Sequence, residues 1–141
     1  MENEVIHMTY TVSQAAEKAG LSVYTLRYYD KEGLMPFLDK APDGTRRFKD
    51  SDFQWLKTIT CLKNTGMSIH EIRDFVALCM EGDATLKKRL AIMKDHQARF
   101  EQKMAQMQLY QETIRSKIRY YEDAVAAGTE NRQPATPSQD R

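Results

Sequence analysis

From residue 86 to residue 125, apolar side chains recur at alternating steps of four and three: Leu86, Leu90, Met93, Gln97, Phe100, Met104, Met107, Gln111, Ile114, Ile118, Tyr121 and Val125. Ten of these twelve positions are apolar, over more than five heptads. Such a stripe is the a/d seam of a coiled coil. At 1.5 Å per residue, about 40 residues make a helix of about 60 Å. A helix that long and that narrowly striped cannot bury its seam against a small domain of its own chain. Pairing with a second chain is expected, through Leu90, Met93, Phe100, Met104, Met107, Ile114 and Ile118, with Gln97 and Gln111 setting register. The seam also divides the 141 residues. Residues 9–80 are left to form one compact domain, 84–125 form the dimerisation helix, and the polar tail 126–141, with two prolines and no periodicity, is expected to be disordered.

The totals exclude several classes. The net charge of +1 announces no polyanion partner, so any nucleic-acid reading must rest on local clustering. No apolar run approaches the roughly 20 residues needed to span a bilayer. The start "MENEVIHMTY" has no basic end and no apolar core, so it does not read as a secretory signal, and residues 1–8 form a flexible lead-in. Cys61 and Cys79 lie 18 positions apart, form no CxxC pair, and fit a reducing cytoplasm. There is no glycine-rich phosphate loop, nucleophile elbow or pair of carboxylates suited to a cleft, which argues against an enzyme.

Ahead of the seam, "MTYTVSQAAEKAGLS" reads as a short extended stretch and a helix capped by Ser13, with Ala15, Ala16 and Ala19 on a close-packing face and Gly20 at its end. A second helix, about 22–32, comes at once, giving the two short helices and tight turn of a helix-turn-helix. Val23, Leu26 and Tyr29 or Asp30 form its buried stripe. "FLDKAPDGTRRFKD" then changes character. Asp43-Gly44 signals a hairpin, with arms at 38–40 and 45–49, and the second arm carries Arg46, Arg47 and Lys49 around Phe48. A basic ribbon after a helix-turn-helix is a wing. A third helix over 51–64 is capped by Asp50 or Ser51 and turns Phe53, Leu56, Ile59 and Leu62 inward. Ser68 and Glu71 form a capping box for a fourth helix, 69–80, and 81–85 is a turn.

Residues 12–49 therefore have the parts of a DNA-binding unit. The major groove admits one helix while another braces it. Arg27 can reach a phosphate or a guanine edge, and the hydroxyls of Tyr24, Thr25 and Tyr28 suit phosphate oxygens. Arg46 and Arg47 can straddle a neighbouring backbone or enter the minor groove. The competing reading makes the tyrosines core fillers and the charges a solvated face. The order of helix-turn-helix, wing and dimer helix favours DNA. A coiled-coil interaction module, or a repressor without its own sensor, is the alternative.

"YTVSQAAEKAGLSVYTLRYYDKEGLM", "GTRRF" and "LKNTGMSIHEIRDF" resemble the MerR family of bacterial transcription regulators over about residues 9–80. The resemblance implies a mainly α fold: a winged helix-turn-helix followed by an antiparallel coiled coil in a homodimer. It also implies double-stranded promoter DNA with an overlong spacer as partner, distorted so that RNA polymerase engages both promoter elements. It suggests DNA-contacting roles for Tyr24, Thr25, Arg27, Tyr28, Arg46 and Arg47.

Metal-sensing relatives carry cysteines near the start of the dimer helix and in a following loop, where this chain has none. His70, Cys79 and His96 are scattered, so no metal and no cofactor is expected. Cys61 resembles a cysteine of the aldehyde- and thiol-stress branch. Lys57 lies one turn before it and Lys63 two residues after, and a nearby ammonium favours the reactive thiolate. The competing reading is an inert helix residue, and Cys79 reads as core.

Overall fold

The computed structural model describes residues 8–132. The expected flexible start therefore lies outside the described residues except for Met8. Five helices and three short strands are arranged in the order β1 (Thr9–Tyr10), α1 (Val12–Ala19), α2 (Val23–Lys31), β2 (Asp39–Lys40), β3 (Arg46–Lys49), α3 (Asp52–Asn64), α4 (Ile69–Glu81) and α5 (Leu86–Ala127), among the described residues. The chain separates into two compact units, one ending at His96 and the other beginning at Gln97.

In the first unit, α1 begins two residues earlier than Ser13 suggests. Thr11 is the cap. It takes an extended backbone, its hydroxyl accepts from the Gln14 amide at 3.1 Å, and the Gln14 side chain accepts from the Thr11 amide at 2.9 Å. Gln14 stands at the third helical position, where a reciprocal box closes. Gly20, at φ 72°, ends α1 in the left-handed region that a side chain would strain. Leu21 then donates back to the Ala16 carbonyl at 2.9 Å, and Ser22 caps α2 by accepting from the Thr25 amide at 3.0 Å.

The extended stretch before α1 is a strand of a three-stranded antiparallel sheet, ordered β1-β3-β2. Thr9 faces Lys49 and Tyr10 faces Phe48, while Asp39 faces Arg47 and Lys40 faces Arg46. The wing is thus wider than the two-stranded ribbon expected. Its loop turns at Gly44 (φ 91°), which donates to the Ala41 carbonyl at 2.8 Å.

One core holds these elements together. Ala15 and Ala16 of α1, Leu26 and Tyr29 of α2, and Phe48 of β3 are buried with Leu56, Ile59 and Leu62 of α3 and Ile72, Phe75 and Val76 of α4. On α2 the buried stripe is completed by Tyr29, not Asp30, and Val23 is half-buried. Phe53 packs at the core's edge, 5.2 Å from Tyr10 edge to face.

The expected α3 cap is corrected. Ser51 has a helical backbone and no capping hydrogen bond, and Asp50 instead accepts from the Tyr10 hydroxyl at 2.7 Å. The closing group is Asp52, almost fully buried, which takes the Lys49 amide at 3.0 Å and the Lys49 ammonium at 3.1 Å. Ser68 and Glu71 do form the reciprocal box on α4, at 3.1 and 2.9 Å.

Between α4 and α5 the turn is a 3₁₀ helix, Asp83–Thr85. The start of α5 belongs to the first unit. Ile92 and Met93 pack on the core, and the His96 ring nitrogen Nε2 lies 2.8 Å from the Thr65 hydroxyl at the end of α3.

The second unit comprises the rest of α5 and the turn after it. Every side chain from 101 to 115 is exposed. The expected disorder from 126 onward is corrected for the described part. α5 continues to Ala127, and Glu130–Arg132 form a 3₁₀ turn tied back by Tyr120, whose hydroxyl donates to Glu130 Oε2 at 3.1 Å. Residues 133–141 lie outside the described residues.

Candidate nucleic-acid interface

α2 presents two faces. Leu26 and Tyr29 are in the core, while Tyr24 (80 % exposed), Arg27 and Tyr28 lie outside it. This split follows from helical spacing: positions 26 and 29 share one stripe, and 24, 27 and 28 fall on the far side. Arg27 makes no ion pair or hydrogen bond with a described residue. Thr25 is half-buried, and its hydroxyl is 2.9 Å from that of Ser22, within the cap of the same helix.

The wing arginines are held from within. Arg46 donates from Nε to Asp30 Oδ2 at 3.1 Å, so a carboxylate of α2 grips a cation of β3. Arg47 donates from Nη2 to the Thr9 hydroxyl at 2.8 Å. An arginine carries five N–H donors, so each keeps donors for a further partner. Lys49 is more committed. It reaches Asp52 at 3.1 Å, the Phe37 carbonyl at 3.3 Å and Asp39 at 3.5 Å. Burial pulls its ammonium down, but the hydrogen bond and charge of Asp52, with Asp39 behind them, more than offset this and hold it above its ordinary value.

Arg27, Asp30, Arg46 and Arg47 all border one concave notch of about 550 Å³ between α2 and the wing, whose floor includes Leu26 and Phe48. The notch can accept an anion at its rim, where guanidinium donors converge from two elements. Tyr24 lies outside it. Asp30 falls inside the stretch that ends in "RYYDKEGLM" and Thr9 just before its start, but neither is a DNA contact expected from the sequence. They act by holding arginines, and only the fold brings residues 30 and 46, or 9 and 47, together.

Of the remaining candidates, Cys61 is exposed on α3 and Cys79 is half-buried against the core. His70 pairs with Asp74 at 3.3 Å, and His96 faces Thr65. Among the described residues no three His, Cys, Asp or Glu side chains are grouped to hold a metal ion. The seam side chains Leu86 and Leu90 in the first unit, and Met104, Met107, Ile114 and Ile118 in the second, are about half exposed or more. Met93 instead packs on its own chain's core, and Phe100 is half-buried.

Comparison with known proteins agrees with this arrangement. Residues 10–78 match the MerR HTH family regulatory proteins, and residues 53–117 match the family's DNA-binding description, "MerR, DNA binding". An uncharacterised HTH-type transcriptional regulator of Haemophilus influenzae is 43% identical, over 86% of this chain and 90% of its own. The crystal structure of HiNmlR, described as a MerR family regulator lacking the sensor domain and bound to promoter DNA, superposes with a TM-score of 0.81 at 42% identity, over 88% of this chain and 98% of that one. A MerR family regulator from Bacillus thuringiensis does so at 0.73 and 40% identity, over 79% and 97%. The exposed basic helix, the wing beside it and these likenesses lead to one conclusion: the chain is a DNA-binding transcriptional regulator belonging to the MerR family.

Proposed function

We propose that the chain acts as a homodimer that binds and distorts a promoter operator, with Tyr24, Thr25, Arg27 and Tyr28 of α2 and Arg46 and Arg47 of the wing at the DNA. The observation that carries this reading is the single notch that Arg27 and both wing arginines border. The open apolar seam of α5 supports pairing, since side chains such as Ile114 (59 % exposed) are left to water in a single copy. Two paired copies would present two reading helices at a fixed spacing, as a pseudo-palindromic site requires. The distorted promoter would then be engaged by RNA polymerase in the cytoplasm. Bending a site costs on the order of several kcal/mol, a scale that ligand coupling can supply.

The signal is proposed to be an electrophile, such as an aldehyde, taken up at Cys61. Its thiol is exposed one helical turn after Lys57. A second reading, a regulator with no sensor of its own, is favoured by the description of the promoter-bound relative as lacking the sensor domain. Transcription with and without the aldehyde separates the two. A response in the parent that disappears in Cys61→Ser supports the sensor, and a parent that does not respond supports the second reading.

The interface itself is tested by gel shift across a salt series, using a duplex recovered from a random-sequence pool by the parent protein. Arg27→Ala together with Arg46→Ala should abolish binding at moderate salt and flatten the dependence of affinity on salt by about two phosphates' worth. Binding equal to the parent's, with the fold intact, would sink the assignment.

A further inference from the structure

An acidic side chain stands in the middle of the surface that is proposed to meet a polyanion. Asp30 lies three residues after Arg27 on the same helix and borders the same notch. A carboxylate there repels phosphates, and its presence calls for an offsetting role. Stability does not supply it. The Asp30–Arg46 pair is about one-third exposed at both ends, 28 % and 35 %, and pairs of that kind contribute little to folding.

The effect of the pair is geometric. It joins the helix that would enter the major groove to the strand that would lie on the backbone beside it, at residues 16 positions apart. It uses only the Nε–H of Arg46. The terminal nitrogens of Arg46 have no other partner among the described residues, so the donors best suited to a phosphate remain available. A long, flexible cation is thereby turned into a fixed one, whose position is set by the recognition helix.

We propose that Asp30 is a positioning residue: by holding Arg46 it fixes the wing relative to α2, so that the protein binds well only to DNA that has been bent to meet both at once. Base contacts from α2 and backbone contacts from the wing then become one linked requirement. Sequences that deform easily are selected even where no side chain touches a base. This inference rests on the DNA-contact assignment made above, and its experiment separates the two.

Parent, Asp30→Ala, Asp30→Glu and Arg27→Ala are compared on the pool-selected duplex and on a scrambled duplex of the same length and composition. Affinity is read by gel shift, bending by the mobility of circularly permuted fragments, and folding by thermal melting. Removing a negative charge predicts tighter binding to the scrambled duplex for Asp30→Ala. Alanine keeps no acceptor for the Arg46 Nε–H, and loss of the strut predicts that its preference for the selected duplex falls by about tenfold, the scale of one damaged base-pair position. The bend should diminish while the melting temperature stays close to the parent's. Asp30→Glu, which keeps a carboxylate one methylene longer, should recover part of both the preference and the bend. If Asp30→Ala tightens both duplexes by the same factor and leaves the bend unchanged, Asp30 is only a counter-charge and the proposal is overturned. If Asp30→Ala melts early, Arg46→Lys gives the reading from the other end of the pair, because it keeps a cation for the phosphate but lacks the separate Nε–H that Asp30 holds: a retained preference and bend overturn the proposal, and their loss supports it. Arg27→Ala with undiminished affinity would instead remove the contact assignment, a result independent of the Asp30 arms.

Discussion

Single side chains in this protein divide into those that face outward and those that hold others in place. Asp52 is the clearest of the second kind. Its carboxylate is almost fully buried and satisfies both the amide and the ammonium of Lys49, so it joins the wing's last residue to the first turn of α3. Removing it leaves the Lys49 N–H without its acceptor and the ammonium with only the Phe37 carbonyl and the more distant Asp39. Asp52→Ala should therefore destabilise the fold by about 2–3 kcal/mol, measured by urea denaturation at neutral pH. Asp52→Asn, which keeps one acceptor oxygen, should cost less. Much at this scale was open to a reading of the sequence. The alternation in "RRFK" sets Phe48 opposite in direction to its neighbours, and it is buried. The helical spacing of "VYTLRYY" separates Leu26 and Tyr29 from Tyr24, Arg27 and Tyr28. The partners were not legible. Nothing in the spacing of Asp30 and Arg46, or of Thr9 and Arg47, says that they touch, because each contact is made by chain folding over tens of residues.

Among the elements, the wing shows how local chemistry shapes a functional edge. Asp43 accepts from the Thr45 amide at 3.0 Å and from the Thr45 hydroxyl at 2.7 Å. The backbone hydrogen bond first, then that of the hydroxyl, holds its carboxyl below the ordinary value of 3.8. A lowered carboxylate pKa stabilises the folded turn above the ordinary value and loses that contribution as pH falls through the folded one. The wing tip should thus loosen in acid, below about pH 4. The Thr45 amide resonance, followed by NMR against pH, should report a midpoint under the ordinary value, and Asp43→Asn should remove the transition. The Asp-Gly signal for this turn was plain in the sequence, as was the Ser68–Glu71 box of α4. The cap of α1 was misplaced by two residues because Thr11 and Ser13 are both good capping residues, and only the Gln14 side chain decides between them. The strand Thr9–Tyr10 is too short to carry any period, and its partner lies 40 residues away.

The molecule as a whole is built of two units with different needs. The first has its own core. In the second, Met104, Met107, Ile114 and Ile118 stay about half exposed or more, and the open face along Ile114, Ile118, Tyr121 and Val125 is mostly apolar, with Lys117 and Glu122 at its border. Ile114→Glu should weaken pairing of two copies on the order of a hundredfold or more, because a carboxylate would be buried among apolar side chains. Sedimentation equilibrium checks this, and a variant that stays as tightly paired as the parent would show that position 114 lies outside the contact. The seam was the most legible feature of the chain, since a four-three repeat needs no tertiary information to be seen. That Met93 leaves it for the core of the first unit was not legible, because an apolar residue serves either purpose.

The pairing of Thr9 with Lys49 has a consequence for how the chain comes together. It closes a loop of sequence that contains both helices of the helix-turn-helix and the whole hairpin. During synthesis the first strand must wait, unpaired, until the last residue of the wing has emerged. The helices between them can form early, but their arrangement is locked only when that clasp shuts. Opening the clasp should likewise free everything inside it at once, so that the amides of Tyr10, Phe48 and Leu26 exchange with solvent as one cooperative group rather than fraying one helix at a time.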